Sequence, residues 1–418
     1  MDMHERIQRK VDAPQRSAHF MNHAPGPTCS GPGLYDGDAL KKNFLAATAA
    51  RMRTLSPFLL RRRLRLLPLI AISFLVVSGP ASGSPDGRRF TFEYETVVGP
   101  IAPGEGPIHI FVPLAAESEQ QVILGEEISA SIEGIVEVEK VYGNRYWHGS
   151  LEHGEGEPIT IRVRTLIERR GASVALPKTS RGISESERQA LESFLGPNSR
   201  VVVDHPILEP IRDEIRARAN SRDPVRVSRA IYDWVIDNIK YKKLGTGWGN
   251  GDTHWACNAR FGNCTDFHAL FISLARAEGI PARFEIGFPI PDDRGMGQIA
   301  GYHCWVEFYI PETGWIPIDA SEAFNNPNKK DFYFGTHSKD RIHFTTGRDL
   351  ELGQGHTAAP LNYFVYPHIE VGGSVWNGPI EKSFEYSPAE NFHPTSRASR
   401  RFRTGKVIPP SIQINGPT

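Results

Sequence analysis

Residues 263–320 of this 418-residue chain put one stretch of helical periodicity ahead of two stretches of strict alternation, and that order leaves few folds open. From Thr265 to Glu278, Phe267, Leu270, Phe271 and Leu274 recur at helical spacing, and Asn263 supplies a good N-cap. Tyr302 to Ile310 and Trp315 to Ala320 are aromatic, β-branched and alternating, with Pro311-Glu312-Thr313-Gly314 between them. That pattern predicts a β-hairpin. A helix with one apolar face followed by an antiparallel hairpin predicts an α+β core in which the helix packs on the sheet.

The same segments concentrate reactive side chains. Cys264, in Gly262-Asn263-Cys264-Thr265-Asp266, falls in the first turn of the predicted helix, where the macrodipole and the unpaired N–H groups favour a thiolate. Its own amide is free to donate to an oxyanion. His303, in Tyr302-His303-Cys304-Trp305, is a base on a strand, and Asp319, closing Gly314-Trp315-Ile316-Pro317-Ile318-Asp319, is a carboxylate that could orient it. Whether the two meet depends on register, because successive side chains alternate between faces. A two-residue loop, Glu312-Thr313, sets Asp319 opposite Val306 and turns it away from His303. A three-residue loop, Glu312-Thr313-Gly314 with Gly314 left-handed, brings Asp319 onto the face of His303, Trp305 and Glu307. The second register, or an equivalent bulge, is the expectation.

With Gly279-Ile280-Pro281-Ala282-Arg283 after the helix, these segments resemble the core of the transglutaminase-like superfamily, over roughly residues 223–372. The resemblance implies a papain-like fold with Cys264 as nucleophile, His303 as base and Asp319 as orienter. It also implies acyl transfer or hydrolysis on peptide or protein amides without a cofactor, although the superfamily includes members that have lost catalysis. The alternative is a non-catalytic peptide-binding or structural module. Crosslinking needs an amine site that wins against water, and no motif reports one.

Cys257, Cys264, His268, His303 and Cys304 could in principle bind zinc. Adjacent His303 and Cys304 on a strand point to opposite faces, and Cys-x6-Cys is not a usual chelating pair, so no metal is expected. Asp266 suits the helix dipole, and His268, four residues beyond Cys264, either faces the cleft or packs. The Gly-rich loop 245–263 carries Trp248, Asp252, His254 and Trp255. Trp234 reads as a core residue, and Trp248 and Trp255 equally as packing or as a wall of the acyl-binding cleft, while the resemblance implies that one such upstream aromatic lies beside the oxyanion.

The rest of the chain frames this core. Alternating segments separated by Gly/Pro turns across residues 88–176 predict a β-sandwich ahead of a core at 184–372. Residues 52–83 read as an export signal, with Arg61-Arg62-Arg63-Leu64-Arg65, an apolar run of 13 residues from Leu66 to Ser78, and a small-residue site ending near Gly83. Residues 1–51 are a polar extension, with Met52 a possible true start, and residues 373–418 read as a disordered basic, Pro-rich tail. The expected location is periplasmic or extracellular and the expected partner a peptide or protein, including cell-envelope substrates. The first 83 residues carry 12 Lys and Arg against 5 Asp and Glu, leaving 36 against 43 in the remainder, a net charge of −7. That acidic body gives no reason to expect nucleic acid. Export would remove Cys29 and leave Cys257, Cys264 and Cys304, which predicts a free Cys264 with the other two either bridged or buried as thiols.

Overall fold

The computed structural model describes residues 87–393. The expected extension at 1–51, the export signal at 52–83 and residues 394–418 of the expected tail lie outside the described residues.

The core is mixed helix and antiparallel sheet, as the periodicities predict. Four strands in the order Gly314–Ile318, His303–Ile310, Ala282–Pro289 and Arg341–Thr346 form the central sheet. The helix Cys264–Ala277 lies against its middle strands, and every residue from Cys264 to Arg276 is buried. A helix covered on all sides is a core element, so its apolar residues need no polar face. Phe267, Leu270, Phe271 and Leu274 are 0% exposed, each worth about 1.5–3 kcal/mol of burial. Helices Pro224–Asn238, Thr253–Ala259 and Ala320–Asn325 pack around it.

The hairpin settles the register. Ile310 pairs with Gly314 and Val306 with Ile318, so the loop is the three residues Pro311-Glu312-Thr313. Asp319, one residue past Ile318, thereby falls on the parity of Trp305 and His303. The loop is one residue earlier than expected because Glu312 itself takes a positive φ of 66° alongside Gly314 at 89°.

The remaining strands form two five-stranded sheets. One runs Gly297–Gln298, Ile380–Pro388, Arg88–Val98, Ile159–Arg169, Gln121–Ala130. The other runs Ser374–Val375, His368–Val371, Ile108–Pro113, Arg145–Leu151, Gly134–Val138. Two expectations change here. The strands of 88–176 do not close on themselves, because later strands complete both sheets and all described residues fall in one compact unit. The Phe92 ring lies 5.3 Å from that of Phe288, tilted, and 5.6 Å from that of Phe344, edge-on, which ties the N-terminal strands to the central sheet. Nor does an unstructured tail begin at 373, since Phe384 and Tyr386 are buried and Ile380–Pro388 pairs along Arg88–Val98. The Pro- and charge-rich composition hid a short run whose alternate residues are apolar.

Candidate active site

Asn263 closes a capping box with Asp266 at the mouth of the helix that Cys264 opens. Asn263 Oδ1 accepts from the Thr265 amide at 2.9 Å, and Asp266 Oδ2 accepts from the Asn263 amide at 2.9 Å. Asp266 is 0% exposed and does more than complement the dipole. Its carboxylate also accepts from the Gly249 amide at 2.7 Å and the Gly251 amide at 3.0 Å. Both glycines have positive φ, 83° and 59°, the left-handed conformation that aims those amides at the carboxylate. Arg348 anchors the same loop from outside, donating to the carbonyls of Gly251 at 2.8 Å and Asn250 at 2.9 Å. Asp266→Asn turns an acceptor oxygen into a donor where three amides converge, so at least one buried N–H loses its partner. The expected cost is about 1–3 kcal/mol, checked by the shift in urea midpoint.

His303 opens its strand opposite Gly287. Its Nε2 lies 2.7 Å from Asp319 Oδ2, and the ring also hydrogen-bonds the Cys264 thiol. An imidazole whose Nε2 is occupied by a carboxylate offers Nδ1 to the sulfur. Asp319 is 0% exposed and caps the helix Ala320–Asn325, its Oδ1 accepting from the Glu322 amide at 3.0 Å and the Ser321 hydroxyl at 3.1 Å. The three side chains singled out from sequence are thus brought together.

Their electrostatics follow from this contact. The Cys264 thiol lies well below its ordinary value, through its hydrogen bond with Cys304 and, against burial, through the hydrogen bond and charge of His303. Burial opposes protonation of His303, but the Asp319 charge and hydrogen bond together with Cys264 raise it to about 10. Burial would raise the Asp319 carboxyl, yet His303, His268 and Arg341 hold it far below the usual range. Both shifts favour a thiolate beside an imidazolium.

None of the three tryptophans offers its indole N–H to this site. Trp234 Nε1 donates to Glu214 at 2.6 Å, Trp248 Nε1 to the Gly245 carbonyl at 3.0 Å, and Trp255 Nε1 to the Phe261 carbonyl at 2.9 Å. Another aromatic, Tyr241, lies in a two-residue strand paired with Phe261–Gly262 just before the nucleophile. Its hydroxyl is raised by burial and then, most strongly among neighbouring charges, by Cys264. A two-residue strand has too little periodicity to reveal it in sequence. Tyr302 was also missed: its hydroxyl holds Asn263 Nδ2 at 3.1 Å and Thr265 Oγ1 at 3.0 Å, fixing the helix mouth to the strand of His303.

No Cys257–Cys304 bridge forms, and all three described cysteines are free. Cys257 sits in the helix Thr253–Ala259, whereas Cys304 faces Cys264, Thr265 and His268. His268 is fully buried, not a cleft residue. Elsewhere, His356, His368 and Glu370 hold potential ligand atoms within 4.8 Å of one another. The Leu352 amide donates to His356 Nδ1 at 3.1 Å, so the neutral ring carries its proton on Nε2 and has no lone pair left for a cation.

A thiol at a helix mouth, hydrogen-bonded to an imidazole–carboxylate pair on an antiparallel sheet, defines the papain-like class of site. Residues 213–320 match the transglutaminase-like superfamily, and the chain carries a domain of that superfamily. It is 28% identical over 344 residues to an uncharacterized protein of Haemophilus influenzae, covering 71% of this chain and 89% of the relative. A protein-glutamine gamma-glutamyltransferase of Pseudomonas aeruginosa is 27% identical over 145 residues, 31% of this chain but only 21% of that protein. Among solved structures, a candidate cysteine protease from Cytophaga hutchinsonii aligns over 71% of this chain and 92% of its own, at 18% identity and a TM-score of 0.47. Among the described residues no helix is long and apolar enough to cross a membrane.

Proposed function

We propose that the chain is an exported thiol enzyme that transfers or hydrolyses acyl groups of peptide or protein amides. The reading rests on one observation: Asp319 holds the His303 ring at 2.7 Å on one nitrogen, and that ring draws the Cys264 thiol below its ordinary range. The thiolate attacks the amide carbon, and the carbonyl oxygen takes on negative charge. His303, protonated at neutral pH, gives its proton to the leaving amine as the C–N bond breaks. The resulting thioester is then released to water or to a second amine, with His303 now removing the proton of the incoming nucleophile. Asp319 keeps the ring in the required tautomer and offsets its charge.

The oxyanion is received by the Cys264 amide, which as the first helical residue has no intrahelical acceptor, and by the Tyr241 hydroxyl. Tyr241→Phe is therefore expected to lower kcat about 10²-fold with little change in KM, because the donor is used chiefly in the transition state. A variant whose KM rises at constant kcat would assign Tyr241 to substrate binding instead.

The basic, apolar and small-residue order of residues 52–83 supports export, and with it peptide substrates of the cell envelope. The test incubates the mature chain with an envelope extract and a labelled primary amine. Label incorporated in a Cys264-dependent way means transfer, and ammonia or peptide release without label means hydrolysis. One observation favours the non-catalytic module: Cys264 is only 3% exposed. Slow alkylation of Cys264 at neutral pH, unchanged in His303→Ala, together with no product in either assay, would support that module and defeat the enzyme.

A further inference from the structure

The loop whose amides bind Asp266 is itself held by a second loop. Leu350 and Leu361 exchange amide-to-carbonyl hydrogen bonds at 2.9 Å in both directions and close the segment between them. That segment is seated on the second five-stranded sheet. Leu350, Leu352 and the following Phe364 pack with Phe111 and Tyr146 of its strands. The Gly353 amide donates to the Tyr146 hydroxyl at 2.7 Å, and Glu370 accepts from the Thr357 amide at 3.0 Å and the Ala358 amide at 3.2 Å. Residues just outside the closure reach the loop before the nucleophile. Arg348, 2% exposed, donates through Nε to Asn362 Oδ1 at 3.0 Å and lies 5.5 Å over the Phe284 ring, while its two other nitrogens take the carbonyls of Gly251 and Asn250. Asn362 Nδ2 donates to the Asn250 carbonyl at 2.8 Å, and the Tyr363 hydroxyl to the Gly249 carbonyl at 3.4 Å. All three carbonyls of residues 249–251 are thus taken, and the amides of Gly249 and Gly251 serve Asp266. A methyl group at Gly251 would fall 2.7 Å from Thr265 Cγ2 of the nucleophile helix and 2.9 Å from Arg348 Nη1, so guanidinium, glycine and helix mouth pack together without slack.

We propose that Arg348, Asn362 and Tyr363 are positioning residues, which grip the carbonyls of residues 249–251 so that the amides of that loop hold Asp266, and with it the helix mouth from which Cys264 acts. This role rests on the reading of Cys264 as the nucleophile. It also gives the second five-stranded sheet a part in catalysis, as the base on which the grip is mounted.

The loop gives its N–H groups to a buried carboxylate and its C=O groups to a buried guanidinium, so each charge is satisfied by peptide dipoles without a direct ion pair. Burial lowers Arg348 only to about 10, which keeps it charged at pH 7. Asp266 alone is a poor hold on this loop. Gly249 and Gly251 carry the largest backbone freedom of any residue type, and with their carbonyls released both can turn their amides away. Asp266 would then lose two of its three amide donors and keep only the capping box with Asn263. The sulfur would shift against the His303 ring, and a misplacement of about 1 Å costs about 10²-fold in rate. Because Arg348 is buried and does not meet the substrate, that loss falls on the reaction and not on affinity.

The test compares the mature chain with Arg348→Met and Arg348→Lys in two measurements. Hydrogen exchange without substrate is followed by mass spectrometry in peptides spanning 245–263 and in peptides of the strand Ile159–Arg169. In Arg348→Met the loop peptides should exchange about 10-fold or more faster, as the loss of a hydrogen bond from a charged donor implies, while the strand peptides stay unchanged. Initial rates are then taken against increasing envelope extract with the labelled primary amine, counting incorporated label and released ammonia together. The maximal rate should fall about 10²-fold at an unchanged half-saturating amount. Arg348→Lys, with one ammonium in place of a two-pronged fork, should recover part of both losses. Should Arg348→Met fail to fold, Asn362→Ala, which keeps the guanidinium, should show the same two changes at smaller size. Unchanged exchange in the loop, faster exchange in loop and strand alike, or a half-saturating amount that rises at constant maximal rate overturns the proposal. Because exchange is read without substrate, a wild-type chain that turns over no amide, while its Arg348→Met variant loosens the loop as expected, would defeat the enzyme reading and leave the grip standing.

Discussion

Cys264→Ala is expected to abolish amide turnover, by about 10⁶-fold, and His303→Ala to lower it by about 10²–10⁴-fold. The difference has a physical origin in the pair itself. Without the sulfur no thioester forms, and only binding and the oxyanion donors remain. Without the imidazole the thiol persists, but the leaving amine finds no proton and the incoming nucleophile no base. His303 is not the sole support of the thiolate, since Cys304 also lowers it. Alkylation of Cys264 at pH 7 should therefore slow in His303→Ala without falling to the rate of an ordinary thiol.

The same pair sets the pH profile. Cys264 ionises well below the usual thiol range and His303 holds its proton to about 10, so the ion pair is present throughout the interval between. Turnover should rise with pH as the thiolate forms on the acid side, stay flat through neutrality, and fall near pH 10 as the imidazolium is lost. The two limbs belong to the coupled pair and not to either residue alone. A profile centred on an unperturbed histidine near about 6.5 would contradict the geometry.

The helix–hairpin core was legible because its signals are local. Asn263 caps, Phe267 to Leu274 repeat every third or fourth residue, and the strands alternate, so each element declares its own type. Even the parity of the hairpin could be reasoned out, since only an odd loop lets Asp319 share the face of His303. The one-residue error in that loop came from Glu312, whose left-handed backbone no side-chain preference announces. What escaped was non-local. Strand Ile380–Pro388 belongs to the fold only because Phe384 and Tyr386 find Arg88–Val98 almost 300 residues earlier in the chain. Likewise the sequence leaves Cys257 and Cys304 either bridged or buried as thiols, and only the fold, which sets Cys304 against the mouth of the nucleophile helix, shows both buried and free. The role of Asp266 also lay outside sequence reasoning, because the amides that bind it come from Gly249 and Gly251 across a loop.

Asp319→Ala should show how much of the site hangs on one carboxylate, with turnover lowered about 10⁴-fold and stability lowered by about 3–5 kcal/mol. The stability loss has three sources. The helix Ala320–Asn325 loses the cap on the Glu322 amide, worth about 1 kcal/mol. His303 loses its partner at 2.7 Å, and the buried Arg341 guanidinium, 3.6 Å from Asp319 and stacked 4.8 Å over Trp305, is left without that charge. Asp319→Asn separates cap from charge: the amide oxygen can still take the Glu322 amide, but the neutral side chain neither offsets the imidazolium nor fixes its tautomer. It should keep most of the helix and lose most of the turnover. The acid side of the stability curve gives an independent reading. A carboxyl held far below its unfolded value contributes stability that is fully present above that unfolded value, about pH 3.9, and is lost as pH falls towards the folded one. The wild type should therefore lose Tm steeply below pH 4, whereas Asp319→Asn, starting lower at pH 7, should lose less over the same interval. Parallel curves for the two proteins would mean that the buried carboxylate is not charged in the native state, and the imidazolium it is meant to support would then have no counterion.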